Sequence, residues 1–179
     1  SKAYGCFLPE NHGDYMRIAG IIRESIVDGP GMRFVIFAQG CPHGCPGCHN
    51  PQTHDFEGGF DADVTSIMAE IEKNPLLRGV TFSGGEPFSQ AGEFANLAKQ
   101  LKTKGLDIMT YSGYTFEEIS RSAQTRSDWK RLLEHTDILA DGPFMESMKD
   151  LTLRFRGSKN QRLIDVNETM KNNFITEYR

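Results

Sequence analysis

Apolar positions recur along the chain in two alternating patterns. Short, nearly continuous apolar or β-branched runs at residues 15–22, 33–38, 80–82, 106–111 and 137–140 predict strands. The run 33–38 has the unbroken character of a strand buried on both faces of a parallel sheet. Between these runs lie helical stripes. Val64, Ile67, Met68 and Ile71 fall at i, i+3, i+4 and i+7, predicting a helix over 61–73 with Asp61 or Asp63 as its N-cap. Phe94, Leu97, Ala98 and Leu101 repeat the stripe, and Gly105 is placed to end that helix. Thr115-x-x-Glu118 is a capping box opening another, and Trp129, Leu132 and Leu133 mark the apolar side of one more. Weaker strand signals lie at 153–155 and 163–166, and Val27-Asp28-Gly29-Pro30-Gly31 is a turn.

Strands alternating with helices imply right-handed crossovers and a parallel sheet. Four or five such units are too few to close an eight-stranded barrel, so the expected fold is α/β. It is an open, partial (β/α) barrel of mostly parallel strands, or failing that a doubly wound sheet. No linker, repeat or low-complexity stretch divides the chain, which predicts a single domain over 1–179 with a flexible tail at 1–14. Four polar loops, 41–50, 83–87, 111–113 and 141–144, each follow a predicted strand. In a parallel sheet the strand C-termini share one edge, so the four loops should converge.

Composition narrows the function. Lys plus Arg is 20 against 24 Asp plus Glu, a net charge of −4, which gives no case for a nucleic-acid partner. No apolar run approaches the roughly eighteen residues that span a bilayer, so no membrane partner is expected. Residues 1–14 carry no export signal, and thiols meant as metal ligands suit a reducing cytoplasm. Cys6 is expected to be a free thiol without a role.

The densest chemistry is Cys41-Pro42-His43-Gly44-Cys45-Pro46-Gly47-Cys48-His49-Asn50, three thiols at C-x3-C-x2-C spacing on a loop that proline and glycine keep out of regular structure. A [4Fe–4S] cube normally takes four cysteines. Three would leave one iron free for an outside ligand. A Cys3His zinc site using His43 or His49 is the alternative, although structural zinc loops usually draw on a second ligand pair far along the chain. Ser83-Gly84-Gly85-Glu86-Pro87 combines permissive backbone with one carboxylate, suited to an ammonium group, or else is a tight turn with an exposed Glu86. Tyr111 and Ser112 offer a polar floor, and Asp141 offers a further acceptor or a turn cap. Arg154, Arg156, Lys159 and Arg162 form a basic stretch, either a docking surface or a solvated face.

The cysteine loop followed one strand later by Gly84-Gly85-Glu86-Pro87 resembles the radical S-adenosylmethionine superfamily. Val27-Asp28-Gly29-Pro30-Gly31-Met32-Arg33 and Gly47-Cys48-His49-Asn50-Pro51 are similar to its glycyl-radical-enzyme activases. Asp141-Gly142-Pro143-Phe144 and Phe155-Arg156-Gly157-Ser158-Lys159-Asn160-Gln161 look like the branch that acts on anaerobic ribonucleoside-triphosphate reductase. The likeness spans residues 15–166.

The resemblance implies an oxidoreductase in which Cys41, Cys45 and Cys48 bind three irons of a [4Fe–4S] cluster and S-adenosylmethionine chelates the fourth. It implies that Gly84, Gly85 and Glu86 hold the methionine amino group, with Ser83, Tyr111, Ser112 and Asp141 in the same site, and that Gly47, Cys48 and His49 lie against the adenosyl part. Much of the superfamily has an aromatic residue where this chain has Gly47. Reductive cleavage would yield methionine and a 5′-deoxyadenosyl radical, which takes hydrogen from a glycine of the partner reductase. No catalytic side chain beyond cluster and cofactor is implied, and reduced flavodoxin is the implied electron donor. The rivals are a formate-lyase-type activase, a 7-carboxy-7-deazaguanine synthase-like enzyme, and a zinc-binding module.

Overall fold

The computed structural model describes residues 15–179. The readings of a flexible tail and of Cys6 lie outside the described residues.

A single seven-stranded sheet organises the described chain. Its centre is four parallel strands, β2 (Arg33–Ala38), β4 (Gly79–Gly84), β5 (Asp107–Tyr111) and β6 (Ile138–Asp141). On one side β1 (Tyr15–Ser25) runs antiparallel to β2, and β3 (Phe60–Asp63) antiparallel to β1; on the other, β7 (Arg162–Asp165) runs antiparallel to β6. The order is β3-β1-β2-β4-β5-β6-β7, with neither end meeting the other. The expected open, partial barrel with a parallel centre is therefore present, and its flanks are antiparallel. The connection 26–32 explains the first flank. It is too short for the crossover that a parallel partner needs, so β1 must turn back on β2.

Helices α1 (Val64–Glu72), α2 (Ala91–Thr103), α3 (Phe116–Ala123), α4 (Ser127–His135) and α5 (Val166–Asn172) follow the strands. The helix expected from residue 61 begins three residues later, because Asp61 and Asp63 belong to β3; Asp63 is its N-cap, accepting from Thr65 N at 3.0 Å. Thr115 caps α3 as the capping box required. The strand expected at 153–155 is absent, since that segment is irregular, and the strand at 163–166 gives way at Asp165, which caps α5 through Glu168 N at 3.1 Å.

Strand alternation gives the sheet two unlike faces. Phe34, Ile36, Val80, Phe82, Ile108 and Leu139 pack under the stripes of α1, α2 and α4, with Phe82 and Phe94 rings 4.7 Å apart. The other face carries Val35, Thr81, Met109, Tyr111 and Ile138 and is covered by loops rather than helices. The 26–32 connection tucks under it: Thr81 Oγ1 donates to Asp28 O at 2.8 Å, and a Cβ on Gly29 would lie 2.8 Å from Met109 Sδ. Arg33 staples this plug. Fully buried, it donates to Thr81 Oγ1 (2.7 Å), Pro30 O (2.9 Å) and Val80 O (3.1 Å) and pairs with Asp107 at 2.5 Å. A buried guanidinium persists only with such partners. No helix among the described residues is long and apolar enough to cross a membrane.

Candidate functional site

The loops that leave β2, β4, β5 and β6 do converge. They line one cavity of about 360 Å³, together with the 26–32 plug and the segment 153–161. That volume lies within the about 300–1,000 Å³ usual for small-molecule sites. Cys41, Cys45, Cys48, His49, Ser83, Gly84, Gly85, Tyr111 and Ser112 are in its wall. Gly47, Glu86 and Asp141 are not among the lining residues.

Cysteine first. All three thiols are free and half-buried, and Cys48 N donates to Cys45 O at 3.2 Å, closing a turn between them. Burial pushes the Cys41 thiol up, the Glu86 carboxyl and the other two thiols add to this, and a backbone donor at His43 opposes it. Thiols so placed become thiolates when a metal rewards them, with release of protons. Among the described residues no three His, Cys, Asp or Glu side chains are gathered tightly enough to hold a single ion. His43 is held away from a zinc role because its Nε2 is bonded to Glu86. The donor set, three free thiols on the cavity wall, fits a three-thiolate cluster.

Glu86 is the joint between the loops. It is fully buried, and Oε1 accepts from His43 Nε2 (2.6 Å), Ser112 Oγ (2.8 Å) and Gly113 N (3.0 Å), while Oε2 accepts from Phe88 N (3.2 Å). One carboxyl thus ties the cysteine loop, the β4 loop and the β5 loop together. The two preceding glycines serve close approach, first of all to the chain itself. Gly84 has φ +88, Gly85 N donates to Ala38 O and Glu86 N to Gly40 O, each at 2.8 Å. A Cβ on Gly85 would lie 2.3 Å from Gly40 O, with backbone on both sides of the clash. Gly85→Ala is expected to destabilise the fold by about 1–3 kcal/mol. A thermal melt should show this as a Tm lowered by roughly 2–4 °C per kcal/mol in a chain of this size; an unchanged Tm would refute the close fit.

Asp141 is likewise occupied. Its Oδ1 accepts from Arg162 N and Nε and its Oδ2 from Arg162 Nη2 and Phe116 N, so it binds β7 and the start of α3 to β6. The Arg162 guanidinium also pairs with Glu117, holding that carboxyl below its ordinary range. The basic stretch therefore divides: Arg162 is consumed by ion pairs, Arg154 lies over the Phe155 ring at 4.9 Å, and Arg156 faces the cavity.

The structure adds contacts to the wall residues that sequence reasoning named, and adds Phe155 to them. Tyr111 donates its hydroxyl to Phe155 O at 2.6 Å, and burial, aided by the charge of Asp28, raises its pKa so that it stays a donor. His49 packs on Phe144 with ring centroids 5.0 Å apart, and above Gly47 stands Glu146, whose carboxyl a Cβ there would meet at 3.0 Å. An aromatic side chain at position 47 is thus replaced by an open backbone beneath a carboxylate, with Phe144 and Phe155 supplying rings elsewhere in the wall. The convergence of the four strand-end loops was visible in the sequence; that the segment 153–161 joins them was not.

The family described as "4Fe-4S single cluster domain" matches residues 27–164. The anaerobic ribonucleoside-triphosphate reductase-activating protein of Vibrio cholerae is 35% identical over 144 residues, covering 76% of this chain and 89% of its own. Those of Escherichia coli K12 (31% identity, 76% and 90%) and Enterobacteria phage T4 (32% identity, 76% and 86%) align over a similar span. Among solved structures, QueE of Escherichia coli overlays on 56% of this chain and 53% of its own at 20% identity and a TM-score of 0.45, too distant to bear on function.

Proposed function

Because this chain belongs to the family of anaerobic ribonucleoside-triphosphate reductase-activating proteins, we propose that it is a radical S-adenosylmethionine activase that installs a glycyl radical on that reductase. The observation that carries the reading is the trio of free cysteines on the wall of a cavity with space left beside them. Cys41, Cys45 and Cys48 would hold the [4Fe–4S] cluster, and the strip Ser83-Gly84-Gly85 with Tyr111 and Ser112 would bound S-adenosylmethionine. When bound, the two groups supply one-electron cleavage of a carbon–sulfur bond and hydrogen abstraction from glycine; the protein's part is placement and exclusion.

That part can be read from the residues. Glu86 fixes His43 and so the start of the cysteine loop, and Tyr111 fixes the 153–161 segment that closes the other side. Glu86 and Asp141 support the site from beneath rather than by touching the cofactor. A loop-covered face on an open sheet leaves a route for a peptide segment of the partner. Reduced flavodoxin as electron donor and a cytoplasmic setting complete the proposal.

The test is anaerobic: reconstituted protein, the cognate reductase, S-adenosylmethionine and a strong reductant, followed by EPR and assay of 5′-deoxyadenosine. A glycyl-radical doublet that requires S-adenosylmethionine is expected. An intact cluster that releases no 5′-deoxyadenosine would overturn the reading, and 5′-deoxyadenosine release without a doublet on this reductase would favour another radical enzyme.

A further inference from the structure

The carboxylates around the site are committed to partners, with one exception. Glu86 accepts from His43, Ser112 and two amides, Asp141 from Arg162 and Phe116 N, and Asp28 from Ser25 Oγ. Glu146 is exposed, and among the described residues no donor or cation is bonded to its carboxylate. It nonetheless stands against the cysteine loop. A Cβ built on Gly47 would lie 3.0 Å from its Cδ and Oε2 and 3.2 Å from its Oε1. Gly47 lies between Cys45 and Cys48, so the charge faces the stretch that carries two of the three thiols.

The backbone that presents this carboxylate is fixed. Met145 N donates to the buried Ser158 Oγ at 3.2 Å, Lys159 N to Met148 O at 2.9 Å, and Asn160 Nδ2 to Pro143 O at 2.7 Å. The turn Glu146–Met148 is therefore pinned on both sides to residues 158–160. Across from it Gly47, at φ +72, offers bare backbone, and a side chain there would push the carboxylate away.

The potential of an iron–sulfur cluster is set by the charge around it, by hydrogen bonds to its sulfurs and by exposure. Hydrogen bonds already reach these thiols: Asn50 N donates to Cys48 Sγ at 3.4 Å, and the backbone at His43 donates to Cys41. Such donors favour the more negative, reduced state and raise the potential. A carboxylate beside the same loop acts in the opposite direction, because reduction adds a negative charge next to it.

We propose that Glu146 acts through the cysteine loop, its charge holding down the reduction potential of the [4Fe–4S] cluster. The reduced cluster is thereby a stronger one-electron donor. The inference rests on the reading of Cys41, Cys45 and Cys48 as the cluster's ligands.

The experiment is a potentiometric titration, read by EPR of the reduced cluster, on anaerobically reconstituted wild type, Glu146→Gln and Glu146→Lys, with iron content matched and S-adenosylmethionine left out. Glu146→Gln should make reduction about three- to tenfold more favourable, the effect of one partly screened charge. At about 59 mV per tenfold for one electron, the midpoint rises by about 30–60 mV. Glu146→Lys changes the charge by two and should raise the midpoint further. Both differences should shrink in about 1 M salt, which screens exposed charges beyond about 3 Å; a merely structural role would show neither the charge order nor the salt dependence. Glu146→Asp keeps the charge and should stay near wild type, and its comparison with lysine carries the test if the glutamine variant holds no iron. Equal midpoints across the series, or shifts that ignore the sign of the charge, would overturn the inference while leaving the cluster reading in place. A wild type that assembles no reducible cluster would remove both.

Discussion

Cys45→Ala is expected to abolish the cluster and with it every glycyl radical on the reductase. The argument is one of ligand count. A cube normally takes four thiolates, this loop offers three, and removing one leaves two. The turn between Cys45 and Cys48 is closed by a backbone hydrogen bond that alanine retains, from Cys48 N to Cys45 O at 3.2 Å. The loss should therefore be of metal and not of fold. Protein reconstituted without air should be colourless and nearly free of iron. Its thermal melt should match that of the metal-free wild type within about 0.5 kcal/mol, as for a substitution away from core and caps. A variant that kept both its iron and the EPR doublet would refute the three-thiolate site.

Glu86→Ala is expected to be the most destabilising single change in the site. It leaves the Ser112 hydroxyl, the Gly113 and Phe88 amides and the His43 ring without their acceptor. Each buried donor left unpaired costs about 1–3 kcal/mol. Some would find water, so a total of roughly 3–5 kcal/mol is expected, a large share of the roughly 5–15 kcal/mol that holds a domain together. Glu86→Gln keeps one carbonyl oxygen for the three donors that meet at Oε1 and sets its amide against Phe88 N alone, so it should lose about 1–2 kcal/mol. Urea unfolding of the metal-free proteins separates the two. If alanine and glutamine were equally mild, the carboxyl would not be the joint described. The alanine variant should also take up iron poorly, because His43 no longer anchors the first turn of the cysteine loop.

Much of this was legible in the sequence, and the failures have physical causes. The cysteine loop, the stripes of α1, α2 and α4 and the cap of α3 are local patterns, and they were read in place. Strand β3 is four residues, Phe60 to Asp63, two of them aspartates, and it exists because β1 offers it a partner; no local pattern announces it. The antiparallel β1 could have been inferred from the short 26–32 connection, and α5 from Asp165-x-x-Glu168, a capping pair that the sequence displays. Glu86 and Asp141 read as acceptors for a ligand, and in the structure they also accept hydrogen bonds from residues 21 to 43 positions away in the chain. A side chain's partners at that separation are settled by topology. The wall segment at Phe155 and Arg156 shares this limit: its place at the site is set only when the sheet brings 111 beside 155.

The two rims of the sheet bear on how the molecule meets others. One rim is the brief β3, with charge at Asp61 and Asp63; the other, β7, is overlaid by the terminal segment through Asp165 N to Thr176 O and Tyr178 N to Leu163 O. Neither offers the long bare ribbon on which strands of separate molecules stack into aggregates. Self-association by that route is therefore disfavoured for the described sheet.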